Sequence, residues 1–181
     1  MNIKDAILAT IANEEGKALH GRTLLQKKLY FLSVLLNEDF DFRPHYFGPY
    51  SPTVADDLGA LTAAGFISED VDIFPGSAGP FGERRRYSYK LDPSCEEILP
   101  EIADELQACY CALERINSHP IAGNSQLLPV AAKVHFIMNE RGRASVEEIR
   151  QRATELGWNL GERDIDQVVE YLEHLGLVKG A

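Results

Sequence analysis

The sequence predicts a mainly α-helical protein with a small β-hairpin wing: a winged helix-turn-helix, followed by a long helix and a second, wingless helical unit of helix-turn-helix type. Three observations lead to this fold class. Residues 22–67 contain two amphipathic helices joined by an aromatic, proline-containing connection. Two strand-like segments with a glycine-rich stretch between them follow this helix pair. A second helix that ends in glycine and aliphatic residues occurs at 162–178.

The chain divides into four predicted segments. We expect a winged helix-turn-helix domain at 1–92, a connecting helix at 93–117, a linker at 118–125 and a C-terminal helical domain at 126–181. The linker is placed where the composition is typical of turns, in NSHPIAGNS. Aligning Gly176 with Gly65 brings Leu172 onto Leu61 and Leu177 onto Phe66, so the halves resemble each other at their third helix.

Composition excludes several classes of protein. The 181 residues are 45% hydrophobic, enough for a sizeable core, and no apolar run approaches the roughly 20 residues that span a bilayer. The N-terminal stretch lacks the basic start and cleavage site of a signal peptide, so we expect a cytoplasmic protein without a membrane partner. Three cysteines in such a chain are expected to be free thiols.

The charge is negative and uneven. The net charge is −10; residues 1–92 hold 10 basic and 13 acidic side chains, and residues 93–181 hold 8 and 15. A protein that binds nucleic acid without sequence preference needs the opposite sign, because phosphate neutralisation supplies most of that affinity. Any binding to DNA must therefore depend on a local basic patch.

Three helices are predicted in the first domain, at about 3–13, from 21–23 to 36, and from 52 to 64, with the segment KALHG as a loop. The second helix has a stripe of leucines at steps of four, three and four, which leaves Gln26, Lys27 and Tyr30 outside it. Ser51 is the predicted cap of the third helix, Pro52 its first residue and Gly65 its end.

The connection FRPHYFGPYS, residues 42–51, has two interpretations. It is a recognition loop that presents His45, Tyr46 and Tyr50, or its aromatic rings fill the gap between the second and third helices while Gly48-Pro49 fixes the turn.

The hairpin also has two interpretations. Alternation along RRRYSYKL places Arg84, Arg86 and Lys90 on one side, where they form a cationic surface suited to a phosphate backbone. Alternatively, Arg84 to Arg86 pair across the hairpin with acidic residues of the first strand, which are Glu69, Asp70 and Asp72.

The connecting helix has heptad-like spacing at Ile102, Leu106, Cys109, Leu113 and Ile116. The spacing permits a dimer seam. Its flanks are acidic and would repel a second copy, so we expect the stripe to pack within its own chain. Further helices are predicted at 126–139, after a capping box of Ser145 and Glu148, and from 162, with a strand start at Leu177-Val178.

No arrangement of residues indicates catalysis. The five histidines are scattered without metal-ligand spacing, and the glycine-rich tip at 76–82 follows a strand without a GK[ST] sequence or a following helix. Cys109 and Cys111 lie two apart on a helix and point to different sides. We expect no enzymatic activity, no cofactor and no metal.

The segments LLQKKLYFLS and HYFGPYSPTVADDLGALTAAGFIS resemble YwgA-like bacterial and archaeal proteins and, more distantly, the SocA or Panacea antitoxin domain. The resemblance covers mainly residues 1–92 and rests on Gln26-Lys27, Tyr30 and Gly48-Pro49-Tyr50-Ser51. Lys28 stands where the family pattern has an aliphatic residue. The resemblance implies a winged-helix fold and a regulatory, toxin-neutralising or protease-adaptor function.

Two functions follow as hypotheses. The first is a transcription regulator that binds double-stranded DNA through Lys27, Arg84, Arg86 and Lys90, for which a homodimer is the usual assembly. The third helix, which normally reads bases, has no Arg, Lys, Asn or Gln here. The second is a protein-interaction module, such as an antitoxin or adaptor, whose acidic C-terminal helices suit a basic protein partner.

Overall fold

The computed structural model describes residues 1–75, 83–95, 99, 106–142 and 144–178. It is mostly helical, with a small three-stranded antiparallel sheet. The helices are α1 Ile3–Ala12, α2 Arg22–Leu36, α3 Pro52–Ala63, α4 Gln107–Asn117, α5 Leu127–Arg141, α6 Val146–Glu155 and α7 Glu162–His174. The strands are β1 Ala18–His20, β2 Ile67–Pro75 and β3 Glu83–Leu91, and short 3-10 helices occupy Glu15–Lys17 and Pro120–Gly123.

The sheet has the order β1-β3-β2, so the hairpin strand β3 lies in the middle. The prediction of a loop at KALHG was wrong, because Ala18–His20 forms β1 and pairs Leu19 with Tyr89. Three residues are too few for an alternating pattern to be recognised in sequence. The strand exists because β3 offers it a partner. Among the described residues the sheet contains no other strand, and Leu177-Val178 does not begin one.

The predicted caps at Ser51, Gly65 and Ser145-Glu148 are confirmed. The start of the connecting helix predicted at 93 was wrong, because Pro93 and Ser94 form a turn and α4 begins at Gln107. Ser51 caps α3 by accepting a hydrogen bond from the Val54 amide at 3.0 Å, and Ser145 and Glu148 form the capping box of α6. The ends of α3 and α7 are alike: the Phe66 amide donates to the Leu61 carbonyl and the Leu177 amide to the Leu172 carbonyl. The end of α6 has the same bond, from Trp158 to Ala153, so this feature alone does not identify a repeat.

Helix α2 is buried on every side. Ten consecutive residues, Leu24 to Ser33, are buried, with α1, α4, α5 and β1 packed around them. The expectation that Gln26, Lys27 and Tyr30 lie outside the core was therefore wrong. A helical wheel assigns polar residues to solvent only when one face of a helix is free, and α2 has no free face along these turns.

Lys28 is one of the polar residues inside the core, with 2% of its surface exposed. Its ammonium forms an ion pair with Glu14 at the end of α1 and donates to the Asn117 side chain of α4 at 2.8 Å. The Asn117 amide in turn donates to Asn13 at 2.9 Å. A buried charge is tolerated only when it is paired and hydrogen-bonded, and this cluster meets that condition where three helices converge.

Helix α4 packs its apolar stripe against α2. Leu106, Cys109, Leu113 and Ile116 are all buried. This confirms that the described part of the stripe lies within the chain, whereas Ile102 falls outside the described residues. Cys109 is buried and Cys111 exposed, as their spacing predicted.

The predicted linker packs on the protein at Ile121 and Ala122, which are buried. Its role as a domain boundary stays a prediction. No helix in the described part of the chain combines the length and apolar character needed to cross a membrane.

We predict that Leu113→Ala destabilises the protein by about 2 to 5 kcal/mol, because Leu113 is fully buried between α4 and α2 and its truncation leaves a cavity. Urea unfolding followed by circular dichroism measures this change. The matched control is Glu114→Ala, one residue further on the exposed side of α4, which is expected to stay within about 0.5 kcal/mol of the wild type. Equal effects of the two substitutions would contradict the assignment of this face to the core.

Candidate interaction surface

The connection between α2 and α3 is held by side chains of α2. The Gln26 amide donates to the Ser51 carbonyl and accepts from the Ser51 amide, both at 3.0 Å. The Ser51 hydroxyl donates to the Phe40 carbonyl. Ser51 therefore caps α3 and also ties both ends of the connection together, so the first residue of α3 has a fixed position relative to α2.

Lys27 holds the middle of the same connection from inside. Its side chain is 1% exposed, and its ammonium donates to the Pro49 carbonyl. Gly48 has a φ of +96°, and a Cβ at this position would lie 3.0 Å from Lys133 and 3.4 Å from Lys27. Only glycine suits this backbone conformation and this close approach of two lysine chains. Burial, together with the nearby Lys133 ammonium, lowers the pKa of Lys27 to about 7.

Residues of the C-terminal half contact the inner side of the connection. The indole nitrogen of Trp158 donates to the His45 carbonyl at 2.6 Å, across more than a hundred residues of chain. In the core below, the Tyr30 hydroxyl and the Nδ1 atom of His135 share a hydrogen bond of 2.8 Å. Burial lowers the pKa of His135 to about 4, so this ring is neutral at pH 7. The connection is thus fixed by α2 on one side and by residues after α4 on the other.

The aromatic side chains of the connection divide into rings that fill the core, as one interpretation expected, and rings that are exposed, whose role in recognition stays a prediction. Phe40 is buried, and Phe42 packs edge-on against Tyr30 with ring centroids 5.3 Å apart. In contrast, Tyr46 is 72% exposed and Phe47 57% exposed, with their rings in mutual contact. The outward rings thus stand on a turn whose backbone has little freedom.

The hairpin has two faces of different character. Tyr89 and Leu91 on one face are buried, while Arg86 and Lys90 on the other are exposed, which confirms the predicted alternation over this part of β3. Arg86 forms an ion pair with Asp72 at 3.0 Å, as the cross-strand interpretation expected. The side chain of Arg84 lies outside the described residues.

The apolar face of the hairpin extends beyond the core. On β2, Val71 is 42% exposed and Ile73 56% exposed. Val71 lies opposite the half-buried Tyr87, whose ring is covered by the Arg22 guanidinium at 3.8 Å from its centroid. Arg22 also forms an ion pair with Glu69 at 3.1 Å. The hairpin face that packs on the core at Ile67 therefore continues with the apolar residues Val71 and Ile73 where the hairpin extends beyond the core.

A pocket of about 150 Å³ lies between the aromatic connection and the hairpin. Its walls come from α2, the connection, α3 and β2, and its lining residues are Arg22, Leu25, Gln26, Tyr50, Ala55, Leu58, Gly59 and Glu69. A cavity of this size can hold one benzene ring. The ion pair of Arg22 and Glu69 lies at its hairpin side and Tyr50 at its other side.

Two groups of exposed or half-buried apolar side chains continue from elements that line this pocket. We call them together the apolar band: Tyr46, Phe47 and Tyr50 on the connection, and Val71, Ile73 and Tyr87 on the hairpin. Ring contacts lead from Tyr50 through His45 to Phe47 and Tyr46. Of the five large hydrophobic residues exposed in the described structure, four belong to the band. Clustered exposure of this kind marks interaction sites more often than scattered exposure does.

The elements next to the band are rich in acidic residues, but Asp57, Glu69 and Asp72 form ion pairs with Lys4, Arg22 and Arg86. Helix α3 and strand β2 together contain five acidic residues and no Lys or Arg, namely Asp56, Asp57, Glu69, Asp70 and Asp72. Most acidic residues of α7 are exposed as well, among them Glu162, Asp166 and Glu170.

The structure separates the sequence-predicted contact residues. Lys27 is inside the protein behind the aromatic connection, so the expected surface cation is absent there. Arg86 and Lys90 lie on one face of β3, four residues or roughly 13 Å apart. Within the described ranges, no three His, Cys, Asp or Glu side chains are grouped as a metal ion would need.

Sequence reasoning missed the pocket and the band, although it considered Tyr46 and Tyr50. Only the packing of β2 beside α3 brings Glu69 and Tyr50 to the same pocket. One signal was available: Val71 and Ile73 continue the alternation of Ile67 beyond the length that a small core can cover.

No protein-family model matches the chain, and no curated protein sequence matches it.

We predict that the stability of the wild type rises between about pH 7 and pH 9.5 and that Lys27→Met removes much of this rise. An unfolded chain keeps the Lys27 proton up to about pH 10.5, whereas the folded protein loses it near pH 7. Over that interval the unfolded state binds more protons, so the free energy of unfolding increases with pH. Below pH 7 both states are protonated, and the cost of burying the charge is present in full.

Urea unfolding at half-unit pH steps measures this dependence. The matched control is Lys90→Met, which removes an exposed lysine and is expected to leave the slope unchanged. A Lys27→Met variant with the wild-type slope would show that Lys27 is charged in the folded protein at pH 9.

Proposed function

We propose that this protein is a non-enzymatic protein-interaction module on a winged-helix scaffold, and that a protein partner docks on the apolar band. The observation that carries the proposal is the apolar band itself, with Tyr46 and Phe47 exposed on a turn that is clamped from two sides. Exposed aromatic side chains on rigid backbone lose little entropy on binding and are the usual anchors of protein interfaces.

The charges favour a protein partner over DNA. In a winged helix that reads DNA, the helix corresponding to α3 enters the major groove. Here α3 has aspartates and small residues on its outer side, and Lys27 is not available at the surface. A phosphate backbone would be repelled by this surface, whereas an apolar protein surface with basic surroundings would not.

A photo-crosslinking residue at Phe47 tests the proposal in cells. We expect one discrete product with a different protein, identified by mass spectrometry, when benzoylphenylalanine replaces Phe47. The matched control places the same residue at Gln151, an exposed position on α6 that is not part of the band. This control is expected to give no such product.

The product must also depend on the other side of the pocket. Adding Val71→Thr and Ile73→Thr keeps the β-branched shape of both strand residues but removes apolar contact area, and it is expected to reduce the yield of the product severalfold. A product of equal yield with and without these substitutions, or equal products from positions 47 and 151, would contradict docking on the band. A product of twice the chain mass would identify a second copy as the partner.

DNA binding through the wing is the second candidate function. It is favoured by the exposed Arg86 and Lys90, which share one face of β3. Such contacts position a protein on a duplex without reading its sequence.

Titration with duplex DNA at several salt concentrations tests this second function. If the wing binds DNA, the double variant Arg86→Ala, Lys90→Ala is expected to reduce the salt slope by about 2, at roughly 0.9 per phosphate contact. The control variant Arg150→Ala, Arg163→Ala removes two exposed cations from α6 and α7 and should leave the slope unchanged. Absence of binding by the wild type at low salt would eliminate this function.

A further inference from the structure

We infer that the pocket between α2, α3 and β2 is a binding site for a small neutral aromatic compound whose ring carries a hydrogen-bond donor and an acceptor side by side, as a primary carboxamide does. This inference goes beyond the proposed function and does not depend on it, because it concerns the pocket and not the exposed side chains of the apolar band. Three features of the pocket support it: its volume, a glycine in its wall and an ion pair in its lining.

The volume of the pocket suits one aromatic ring. It measures about 150 Å³, which is the size of a cavity that holds benzene. The lining is mainly apolar, and its side chains Leu25 and Leu58 are buried. Tyr50, which is half-buried, also belongs to the lining. A ring that enters the pocket therefore leaves water for contact with aliphatic carbon and with one tyrosine ring.

Gly59 keeps the wall formed by α3 open. It lies inside a regular helix, where glycine is the least favourable residue apart from proline. Packing within the chain does not require glycine at this position, because a Cβ added there would meet no atom within 4 Å. Ala55 lines the pocket one turn earlier on the same side of α3. A larger side chain at either position would reduce the space in the pocket.

The ion pair of Arg22 and Glu69 supplies the polar end of the site. Nη2 of Arg22 donates to Glu69 at 3.1 Å, and Nε donates to the Tyr89 hydroxyl at 2.8 Å. Among the contacts of the described residues, Nη1 of Arg22 forms no hydrogen bond, and a carboxylate such as Glu69 can accept about four. The two side chains are 55% and 25% exposed, so a ligand reaches them without breaking the pair.

The same ion pair disfavours a charged ligand. A carboxylate on the ring would accept from Arg22 but would lie beside Glu69, and an amidinium would donate to Glu69 but would lie beside Arg22. A primary carboxamide offers its carbonyl to Arg22 and its amino group to Glu69, and it adds no net charge. Benzamide, benzoate and benzamidine have nearly the same shape and differ mainly in charge, so they serve as the probes.

Titration of the isotope-labelled full chain with each probe, followed by two-dimensional NMR, tests the inference. We expect benzamide to shift the amide signals of Leu25, Leu58 and Gly59, which line the pocket. Benzoate and benzamidine are expected to bind about threefold to fivefold more weakly, which is the size of one partly exposed charge contact.

A pair of variants in α3 locates the ring. Gly59→Leu is expected to weaken benzamide binding about tenfold or more, because the new side chain takes up volume that the ring needs. The matched control is Ala60→Leu, which adds the same side chain at an exposed neighbouring position outside the lining and is expected to bind as the wild type does. Circular dichroism and urea unfolding establish that both variants are folded.

A second pair of variants tests the polar end. Glu69→Gln keeps the shape of the side chain but removes its charge, so benzoate is expected to bind at least as tightly as benzamide. The matched control is Asp70→Asn, which removes one charge from the next residue of β2, on the opposite face of the strand. This control is expected to keep the wild-type order of the three probes.

Four results would overturn the inference. Absence of shifts at the lining residues near the solubility limit of benzamide would show that the pocket binds no such ring, and equal binding by the Gly59→Leu and Ala60→Leu variants would place the ring elsewhere. Equal affinity of the wild type for all three probes, or an unchanged order in Glu69→Gln, would show that the ion pair does not select a neutral ligand. None of these results affects the crosslinking from position 47, so failure of this inference is distinct from failure of the proposed function.

Discussion

The burial of α2 on all sides is the constraint on which the other features of this structure depend. A helix with ten consecutive buried residues must find partners for every polar side chain among them, since a buried ammonium or amide without a partner costs several kcal/mol. Gln26 forms hydrogen bonds with Ser51, Lys27 donates to the Pro49 carbonyl, and Lys28 forms an ion pair with Glu14. Ser51 and Pro49 lie on the connection between α2 and α3, whereas Glu14 follows α1. The polar residues of α2 thus fix the positions of the loops and helix ends around it. Its leucines contribute the favourable free energy of apolar burial.

This arrangement explains why a surface turn with exposed aromatic rings is so closely held. Gln26 and Lys27 contact the segment from Gly48 to Ser51 and form a clamp between α2 and the start of α3. Trp158 adds a bond from the C-terminal half. Because these contacts all lie on the inner side, the outer side of the turn is free to carry Tyr46 and Phe47. An interface presented on such a turn does not have to order the backbone when it binds.

Electrostatics divides the hairpin between its two faces. The cationic face contains Arg86, which is already paired with Asp72, and exposed pairs of this kind contribute little to stability. The effect of such a pair is to neutralise an acidic side chain locally in a protein with a strongly negative net charge. The opposite face meets the start of α2, where Arg22 contacts Glu69 and Tyr87, and beyond these contacts it carries Val71 and Ile73. The hairpin thus belongs to two different surfaces at once, which is why its arginines alone do not decide between DNA and protein as the partner.

The sequence by itself determined the local elements. Periodicity placed the α-helices of the described residues, Ser51 and the pair Ser145-Glu148 located two helix starts, and alternation assigned the faces of β3, because these features depend on neighbours within a few residues. Only the tertiary structure decided which polar side chains are inside. Lys27 was predicted at the surface, and nothing nearby in sequence shows that Pro49 will accept its hydrogen bond or that Glu14 and Asn117 will pair with Lys28. Strand β1 and the pocket beside Gly59 likewise exist only through contacts between distant segments, and such contacts leave no periodic trace in the chain.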